Sequence, residues 1–288
     1  MTILVTGANG QLGNEMRLVS AAHESDEYLF TDVAELDICD AGAVEKMLRE
    51  KHVDAIVNCA AYTNVNGAES DRELCDRINR AAPGVLAEAA RRHGCRLLHI
   101  STDYVFDGNH YQPYREDDEP CPTSVYGATK LAGERLVQAL CPDAIIVRTA
   151  WLYSSFGKNF VKTMISLGRT KDSIGVVSDQ IGSPTYARDL AAAIDTILRS
   201  RKWIPGIYHF TDEGVCSWYD FALAIHQLAG ITGCEVKPLH THEYPTPVRR
   251  PPYSVLDKSK IKETFGVAVP HWYSSLRECM KKIDNPNE

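Results

Sequence analysis

The chain has 288 residues, of which 44% are hydrophobic and 24% charged, and it carries a formal net charge of −7 with a pI near 5.8. This length suits one large α/β domain or one domain with a smaller lobe, and the acidic balance argues against binding to nucleic acid or to an anionic membrane surface. No apolar run approaches the ~20 residues of a membrane-spanning helix, and a strand-like run follows Met1 directly, so we expect a cytoplasmic protein without a signal peptide.

The chain begins with a strand, a glycine turn and a helix. A β-branched apolar run at residues 2–6 leads into GANGQLG at residues 7–13, and helix formers follow. Glycines in this context permit a tight turn, close approach of the backbone to a pyrophosphate, and close packing of helix on strand, while the first helical amides face the anion. The spacing is GxxGxxG rather than GxGxxG. We predict a dinucleotide site that includes Gly7, Gly10, Gln11, Leu12 and Gly13.

The second strand-like run, residues 28–31, ends at Asp32, 19 residues after the last glycine of the turn. An acidic side chain at this distance accepts hydrogen bonds from the adenine ribose hydroxyls, which favours NADH over NADPH. The alternative is that Asp32 only caps a turn, and Arg17 could accommodate a 2′-phosphate, so NADPH or NADH stays open. Asp37 and Ile38 are expected beside the adenine.

The third strand-like run, residues 54–58, leads into Ala60, Ala61 and Tyr62. Small residues here would let the loop lie close to the pyrophosphate and ribose of the cofactor, although an ordinary turn after a strand explains them equally well. The fourth run, residues 96–101, leads in the same way into Thr102.

Strand-like and helix-like runs alternate through the first half of the chain. The strand-like runs lie at 3–6, 28–31, 54–58, 96–101 and 144–149, and the helix-like runs at about 10–22, 40–51, 69–93 and 124–140. This alternation is typical of βαβ units, so we predict an α/β fold with a Rossmann-type doubly wound parallel sheet. The carboxyl ends of such strands meet at one edge, where the glycine turn, residues 60–62 and residues 101–103 should converge on one crevice.

After residue 150, prolines divide the chain into shorter elements, with helices predicted at 158–168, 186–200, 217–229 and 272–283. Strands at 145–149 and 206–210 are expected to rejoin the main sheet. We therefore predict a dinucleotide-binding Rossmann domain over residues 1–150 and, over residues 151–288, mainly a smaller C-terminal substrate-binding lobe.

Tyr126 and Lys130 are the strongest candidates for catalysis, because they lie four apart on one face of a predicted helix. A neighbouring ammonium favours the phenolate, so Lys130 is expected to lower the pKa of Tyr126 towards neutrality. Thr102 follows the fourth strand and would bond a substrate carbonyl together with Tyr126. Each feature alone has an ordinary explanation, a solvated helix face for the pair and a helix cap for the threonine.

Together these motifs resemble the extended short-chain dehydrogenase/reductase superfamily, and within it the family of dTDP-4-dehydrorhamnose reductases. The resemblance extends over nearly the whole chain and is carried by STDYVFDG (101–108), VYGATKLAGE (125–134), VRTAWLY (147–153), NFVKTM (159–164), DQIGSPT (179–185) and YPTPVRRPPYS (244–254). It implies NAD(P)H-dependent reduction of the C4 keto group of dTDP-4-dehydro-L-rhamnose, with Thr102, Tyr126 and Lys130 as the catalytic set. It further implies substrate contacts from Thr102, Asp103, Trp151, Asn159 and Arg250.

Some members of this family share a Mg²⁺ site across a homodimer, with an acid on the first helix. Glu15 matches that acid, but Arg188 stands where another acid is expected, so Mg²⁺ is doubtful and we expect a monomer or a weak homodimer. The nine cysteines form no CxxC pair, and His240 and His242 lie in a polar, proline-flanked stretch typical of a loop. We therefore predict reduced thiols and no metal site.

Four further classes stay open as alternatives. A 4,6-dehydratase needs an acid and a base after the threonine, but Asp103 is followed here by Tyr104, and an epimerase motif matches residues 101–104 less well. A reductase of another nucleotide-linked 4-keto-6-deoxysugar would use the same catalytic set. A reductase-like regulatory subunit, similar to the methionine adenosyltransferase β subunit, would leave that set unexplained.

Overall fold

The computed structural model describes residues 1–284. The strands are β1 (Thr2–Thr6), β2 (Glu27–Thr31), β3 (Ala55–Asn58), β4 (Arg96–Thr102), β5 (Ile145–Thr149), β6 (Leu152–Tyr153), β7 (Ser173–Val177), β8 (Ile181–Gly182), β9 (Thr185–Tyr186), β10 (Gly206–His209), β11 (Cys216–Ser217) and β12 (Glu235–Leu239). The helices are α1 (Gln11–Ser20), α2 (Ala41–Lys51), α3 (Arg72–Asp76), α4 (Ala82–His93), α5 (Val125–Leu140), α6 (Phe160–Thr170), α7 (Ala187–Arg199), α8 (Trp218–Leu228), α9 (Ser259–Phe265) and α10 (Trp272–Asp284).

Six parallel strands form the central sheet in the order β10-β5-β4-β3-β1-β2. The order reverses at β1, since β2 lies on one side of it and β3 on the other. In such sheets ligands bind outside the carboxyl ends of the strands at the point of reversal. The strands therefore direct the glycine turn, the segment after β3 and the end of β4 to one edge.

Helices cover both faces of the sheet. On one face α1 and α7 pack together over the strands, with Met16 and Ile194 fully buried between them. On the other face α2, α4 and α5 bury Val44, Leu86 and Val137. Burial on both faces explains why the central strands are continuously apolar, and it confirms the predicted doubly wound α/β fold.

A third core lies in the second half of the chain. The helices α6, α8 and α10 pack around Phe221, Ile225 and Leu276, all fully buried. A parallel pair of strands, β7 with β12, adds a small second sheet to this unit. The boundary proposed at residue 150 stays a prediction, because α7 and β10 from the second half belong to the main sheet and its covering layer.

Capping residues determine where several helices begin and end. The Asp40 side chain accepts a hydrogen bond from the Ala43 amide at the start of α2, and Ser217 forms a capping box with Asp220 at the start of α8. Gly94 ends α4 in the left-handed conformation, with φ at 66°. These local signals are the reason that helix boundaries follow the sequence pattern to within a few residues.

The predicted elements differ from the structure at three places. The helix expected over 69–93 begins instead as a 3₁₀ turn at Gly67–Glu69 and the short α3, followed by a π-helical segment at Arg77–Ala81 and then α4. Pro83 has no amide hydrogen, and it lies in the first turn of α4 where none is needed. Helix α9 and the strand pair β7 and β12 were not predicted from the sequence. Among the described residues, no helix is long and apolar enough to cross a membrane.

Candidate active site

A cleft of about 530 Å³ lies at the carboxyl edge of the central sheet. It is open to the surface and is lined by segments from the glycine turn, from the loop after β3, from the end of β4, from α5 and from the segment after β5. The predicted site residues that line it are Gly10, Gln11, Leu12, Ala61, Thr102, Asp103, Tyr126, Lys130, Trp151 and Asn159. Four strands thus bring residues from both halves of the chain to one site.

The glycine turn fits tightly against the loop after β3. Gly7 has a φ of 65°, and a Cβ there would lie 2.7 Å from the Ala60 Cα. A Cβ on Gly13 would lie 2.5 Å from the Gly7 carbonyl oxygen, so the start of α1 also requires glycine. The first amides of α1 have no acceptor within the helix and no side-chain cap at Gly10. This turn has the close backbone and the free amides that a pyrophosphate needs.

Helix α5 carries the Tyr/Lys pair in its first two turns. Ser124 caps the helix by accepting a hydrogen bond from the Gly127 amide at 3.1 Å. A Cβ on Gly127 would lie 2.1 Å from the Tyr104 carbonyl oxygen, so glycine allows this helix end to press against the segment after β4. Tyr126 and Lys130 are both buried and both face the cleft.

The Tyr126 hydroxyl is in its protonated form at neutral pH. Burial raises the pKa of Tyr126 above its ordinary value of 10.0, and a contact with the Thr102 hydroxyl opposes this only in part. The direction is opposite to the one expected from the sequence, because the Lys130 Nζ is directed at the Ile100 carbonyl oxygen, 2.6 Å away, and burial dominates. A neutral phenol beside the cleft is a proton donor.

Thr102 and Asp103 form a bonded pair at the end of β4. The Thr102 hydroxyl donates to the Asp103 carboxylate at 3.0 Å and accepts from the Tyr104 amide at 3.2 Å. Burial raises the pKa of Asp103 to about 6, and the hydrogen bond from Thr102 opposes that rise. The second Asp103 oxygen is buried and forms no hydrogen bond of good geometry within the described structure, although the Ser254 hydroxyl lies near enough to lower the pKa of Asp103. An unsatisfied carboxylate oxygen at a cleft is typical of a ligand-binding group.

Lys130 is held from the sheet side. Its Nζ donates to the Ile100 carbonyl oxygen and lies 3.5 Å from the His99 Nε2. Burial lowers the pKa of Lys130 to about 8, against the influence of Glu134 and of the thiols of Cys75 and Cys59. The ammonium is therefore present at neutral pH and is lost within a mildly alkaline range.

Seven of the predicted cofactor residues lie outside the cleft lining: Gly7, Gly13, Ala60, Tyr62, Asp32, Asp37 and Ile38. Asp32 directly follows β2, and its carboxylate accepts hydrogen bonds from the amides of Asn9 at 3.0 Å and Val33 at 2.9 Å. Asp32 therefore does cap a turn, at the rim of the glycine loop. Asp37 is exposed and accepts from the Cys39 amide at 2.9 Å, while Ile38 is buried in the core beneath α2. Their contact with an adenine stays a prediction.

The loop after β3 is held by side-chain bonds. The Tyr62 amide donates to the Asn79 Oδ1 at 2.9 Å, and its hydroxyl donates to Asp71 at 2.7 Å. Ala60 packs against Gly7, and Ala61 lines the cleft. The small side chains of Ala60 and Ala61 allow this loop to lie against the glycine turn.

The predicted substrate residues occupy three different settings. Trp151 has a φ of 50°, in the left-handed region that a tryptophan rarely adopts, and its ring stacks on Trp218 with centroids 3.6 Å apart. The Asn159 amide caps α6 and donates to the Gln11 Oε1 at 2.9 Å, so it joins the segment after β5 to α1. Arg250 lies outside the cleft lining, where its Nη1 donates to the Tyr104 hydroxyl at 3.2 Å.

Sequence reasoning missed four residues at or behind this cleft. Tyr104 bridges Arg250 to the Tyr126 ring, and Trp218 backs Trp151. Asn58 and His99 are polar residues in buried strands behind the catalytic lysine, and their side chains are 1% and 0% exposed. A polar residue inside an otherwise apolar central strand is the signal that would have found them.

The described residues do not support a Mg²⁺ site. Glu15 is fully buried, and one carboxylate oxygen accepts a hydrogen bond from the Ser154 hydroxyl at 2.5 Å while the other has no partner. Arg188 contributes a positive charge near it, where a metal site needs acids. Within residues 1–284 no group of three or more His, Cys, Asp or Glu side chains is placed to hold a metal ion.

Comparison with known proteins gives a consistent result over nearly the whole chain. The family model described as "RmlD substrate binding domain" matches residues 1–285. The dTDP-4-dehydrorhamnose reductase of Aggregatibacter actinomycetemcomitans is 41% identical over 284 residues, covering 96% of this chain and 97% of the relative.

Two solved structures show the same fold. The crystal structure of a dTDP-4-dehydrorhamnose reductase from Clostridium acetobutylicum has a TM-score of 0.94 and 45% identity, covering 99% of this chain and 100% of that one. The dTDP-4-dehydrorhamnose reductase of Bacillus anthracis str. Ames, solved in complex with NADP, has a TM-score of 0.93 and 38% identity, covering 98% of this chain and 99% of that one.

Proposed function

The chain belongs to the dTDP-4-dehydrorhamnose reductase family, and on that premise we propose that it reduces the C4 keto group of dTDP-4-dehydro-L-rhamnose to give dTDP-L-rhamnose. The reductant is NADH or NADPH. One observation carries the proposal: Thr102, Tyr126 and Lys130 line the same cleft as the glycine turn. A hydride donor bound at that turn and a keto sugar beside Tyr126 would share this one cleft.

Each side chain has a distinct part in this chemistry. When bound, the reduced nicotinamide supplies a hydride to C4 of the sugar. The neutral Tyr126 phenol gives its proton to the C4 oxygen as negative charge develops there, and Lys130 stabilises the resulting phenolate and alkoxide charge. The Thr102 hydroxyl, which donates to Asp103 in the free cleft, would turn to donate to the same oxygen when the sugar is bound. The buried Asp103 oxygen without a partner accepts a hydrogen bond from a sugar hydroxyl.

The substrate's sugar and diphosphate would contact different residues. The stacked rings of Trp151 and Trp218 offer an apolar wall that suits the methyl group of a 6-deoxysugar. Arg250, held by the Tyr104 hydroxyl, and Lys158 at the cleft supply positive charge for the nucleoside diphosphate. Asn159 lines the cleft, but its side-chain amide is already hydrogen-bonded to Gln11 and to the start of α6. Its role is therefore to hold the segment after β5 in place between the cofactor and the sugar.

The dinucleotide fits the first half of the chain. The turn packs closely against the loop after β3 and the start of α1 because neither Gly7 nor Gly13 carries a Cβ, and its free amides suit a pyrophosphate. Two features bear on the choice between cofactors. The Asp32 carboxylate at the rim of the turn disfavours a 2′-phosphate, while the NADP found in the Bacillus anthracis relative favours one. We propose that both NADH and NADPH are accepted.

The dehydratase alternative has little support in this cleft. Among the described lining residues Asp103 is the one carboxylate, and the position after it holds Tyr104. Elimination needs an acid and a base in addition to the hydride step. The cleft therefore suits reduction of an existing ketone better than dehydration.

The test is oxidation of NADH and of NADPH, followed at 340 nm in separate reactions with dTDP-4-dehydro-L-rhamnose. We expect stoichiometric oxidation with formation of dTDP-L-rhamnose, and the two rates rank the cofactors. Binding of each dinucleotide is measured in parallel by quenching of tryptophan fluorescence. Dinucleotide binding without oxidation on this sugar would overturn the proposal. Turnover on another nucleotide-linked 4-keto-6-deoxysugar would then identify a different reductase, and its absence would favour a regulatory subunit.

A further inference from the structure

A row of buried polar side chains runs from β1 to the catalytic helix. The Thr6 hydroxyl donates to the Asn58 Oδ1 at 2.7 Å, the Asn58 Nδ2 lies 2.9 Å from the His99 Nδ1, and the His99 Nε2 lies 3.5 Å from the Lys130 Nζ. All four side chains are at most 2% exposed. Adjacent parallel strands supply the first three of them, in register, since Thr6 pairs with Asn58 and Asn58 with His99.

The backbone determines which way the Asn58 amide points. The Ala60 amide N–H donates to the Asn58 Oδ1 at 3.2 Å, and a backbone N–H can only donate. The oxygen is therefore on the Ala60 side, and the Asn58 NH₂ faces His99. Because an NH₂ group can only donate, the His99 Nδ1 must be the acceptor and carries no proton.

A neutral His99 then carries its proton on Nε2, the nitrogen that faces Lys130. Burial keeps the pKa of His99 well below its ordinary value of 6.5, and the Lys130 charge acts in the same direction. The ring is thus neutral across the working range of pH. The Lys130 ammonium therefore faces the His99 Nε2–H, which cannot accept a hydrogen bond. In the other tautomer the bare Nε2 would accept one of the ammonium hydrogens.

We propose that Asn58 and His99 are positioning residues for Lys130. Asn58 holds His99 in the tautomer whose Nε2–H faces the Lys130 amine, so the Ile100 carbonyl is the acceptor that the sheet offers to Lys130. The other hydrogens of the Lys130 ammonium are thereby directed into the cleft. The inference rests on the proposed function, in which Lys130 acts on the reacting oxygens. An ammonium has three hydrogens, of which one reaches the Ile100 oxygen at 2.6 Å. The remaining hydrogens are free for the Tyr126 oxygen and for a bound ligand.

The other charged and titratable groups around Lys130 come from four elements. Glu134 lies on the same helix, where Arg148 of β5 pairs with it at 2.7 Å. The thiols of Cys59, after β3, and of Cys75, on α3, together with Tyr126, complete the set. None of them accepts a hydrogen bond from the Lys130 Nζ in the described structure, so His99 is the group whose tautomer decides what the amine meets.

A second buried histidine provides an internal control. The His209 Nδ1 lies 3.1 Å from the Tyr114 carbonyl oxygen, which can only accept, so His209 carries its proton on Nδ1. Its Nε2 lies 3.5 Å from the Arg148 Nη1, a donor. His209 is also fully buried, and burial with the Arg148 charge lowers its pKa to about 3. The two neutral histidines should therefore be opposite tautomers in one protein.

The experiment is two-dimensional proton–nitrogen NMR of the wild-type protein labelled with ¹⁵N at histidine, from about pH 6 to about pH 9. Protonated and bare ring nitrogens have distinct ¹⁵N shifts, and loss of one spin system in each of His99→Gln and His209→Gln assigns them. We expect Nε2–H for His99 and Nδ1–H for His209 throughout. An Nδ1–H tautomer or a doubly protonated ring at His99 would overturn the proposal. No turnover is needed, so this outcome is separate from the fate of the proposed function.

The functional consequence is tested with Asn58→Asp, which keeps the shape and the acceptor for the Ala60 amide. Its second carboxylate oxygen accepts from the His99 Nδ1–H, so the ring should change tautomer and Nε2 should accept a hydrogen from Lys130. We expect kcat to fall about tenfold, as for one misdirected charged hydrogen bond. The fall of kcat at alkaline pH, which reports loss of the Lys130 proton, should move upwards by about one pH unit, because the bare Nε2 stabilises the ammonium. In His209→Gln the position of that limb should not change. A changed His99 tautomer with an unmoved limb would show that the pair is only structural.

Discussion

Tyr104 meets Tyr126 edge to face, with ring centroids 5.4 Å apart and an interplanar angle of 78°. The Tyr104 hydroxyl also accepts a hydrogen bond from the Arg250 Nη1 at 3.2 Å. One side chain therefore contacts both the proposed acid and the arginine proposed to bind the diphosphate. Arg250 comes from a proline-rich segment far along the chain, so this contact fastens that segment to the catalytic helix.

Removing the Tyr104 hydroxyl should weaken substrate binding selectively. In Tyr104→Phe the ring still packs on Tyr126, but Arg250 loses its acceptor, and a hydrogen bond to a charged group contributes about 1.5–3 kcal/mol. We expect KM for the dTDP-sugar to rise about tenfold, with kcat and the Kd of the dinucleotide little changed. Steady-state kinetics and fluorescence titration measure these quantities. A fall in kcat at constant KM would show that the Tyr104 hydroxyl acts on the acid Tyr126 and not on substrate binding by Arg250.

Tyr126→Phe removes the proposed acid and keeps the ring. We expect kcat to fall by roughly 10²-fold or more, the usual effect of losing a general acid. The Kd of the dinucleotide should stay nearly the same, because the glycine turn is untouched. Single-turnover rates with enzyme in excess separate the chemical step from product release. Near-normal turnover in this variant would refute the assigned part of Tyr126.

Lys130→Met should inactivate the enzyme and stabilise the fold. Burial lowers the pKa of Lys130 from 10.5 to about 8, so between these values the unfolded chain binds the proton and the folded chain does not. The buried ammonium thus costs stability below pH ~8, and the cost fades as the pH rises towards ~10.5. We expect the free energy of unfolding to increase by up to about 3 kcal/mol near pH 7. Urea denaturation of the wild type and of Lys130→Met at about pH 7 and about pH 9.5 measures this gain in the free energy of unfolding. An equal gain at both pH values would show that the buried charge is not its cause.

Asp32→Asn should change the preference between cofactors. The amide keeps an acceptor for the Asn9 amide, which bonds the Asp32 carboxylate at 3.0 Å, but it removes the negative charge that repels a 2′-phosphate. We expect the ratio of kcat/KM for NADPH over NADH to rise about tenfold, the effect of about 1.4 kcal/mol. Tyr62→Phe in the loop after β3, which removes the hydroxyl bonded to Asp71, is a suitable comparison and should leave the ratio unchanged. An unchanged ratio in Asp32→Asn would show that this carboxylate only caps its turn.

The pair Glu134 and Arg148 ties the catalytic helix to β5. Both side chains are 1% exposed, and two hydrogen bonds join them at 2.9 Å and 2.7 Å. Glu134→Gln leaves a buried guanidinium without its counter-charge, which destabilises by about 3–5 kcal/mol. Chemical denaturation measures this loss. The exposed pair of Asp76 and Arg80 is the matched control, and Asp76→Asn should leave stability nearly unchanged. Equal effects of the two substitutions would rule out burial as the cause.

Much of the fold was predictable because its signals are local. The alternation of apolar runs predicted β1 to β5 and the helices between them, and the doubly wound fold is confirmed. The helix over 69–93 was only partly right, because the π-helical segment depends on how that stretch packs against α5. The strand pair β7 and β12 was missed because each strand finds its partner about 60 residues away, and a single strand pattern does not name its partner.

The candidate site divides in the same way. The glycine turn, Thr102, and the Tyr126 and Lys130 pair are recognisable from residue type and spacing, and the convergence of strand ends on one cleft follows from the parallel sheet. The sign of the pKa change at Tyr126 was not recognisable, since it depends on burial and on where the Lys130 amine points. The roles of Thr102, Tyr126 and Lys130 in catalysis stay predictions, which the experiments above test.

Periodicity, glycine positions and short motifs act over a few residues, so the amino-acid pattern was enough to predict the sheet, the edge at which its strands converge and the family. Only the folded chain shows that Tyr104 meets Arg250, that Trp151 stacks on Trp218 and that His99 lies between Asn58 and Lys130. These contacts join residues that are distant in the chain. Directional bonds between buried polar groups depend on strand register and side-chain orientation, which exist only once the core has packed.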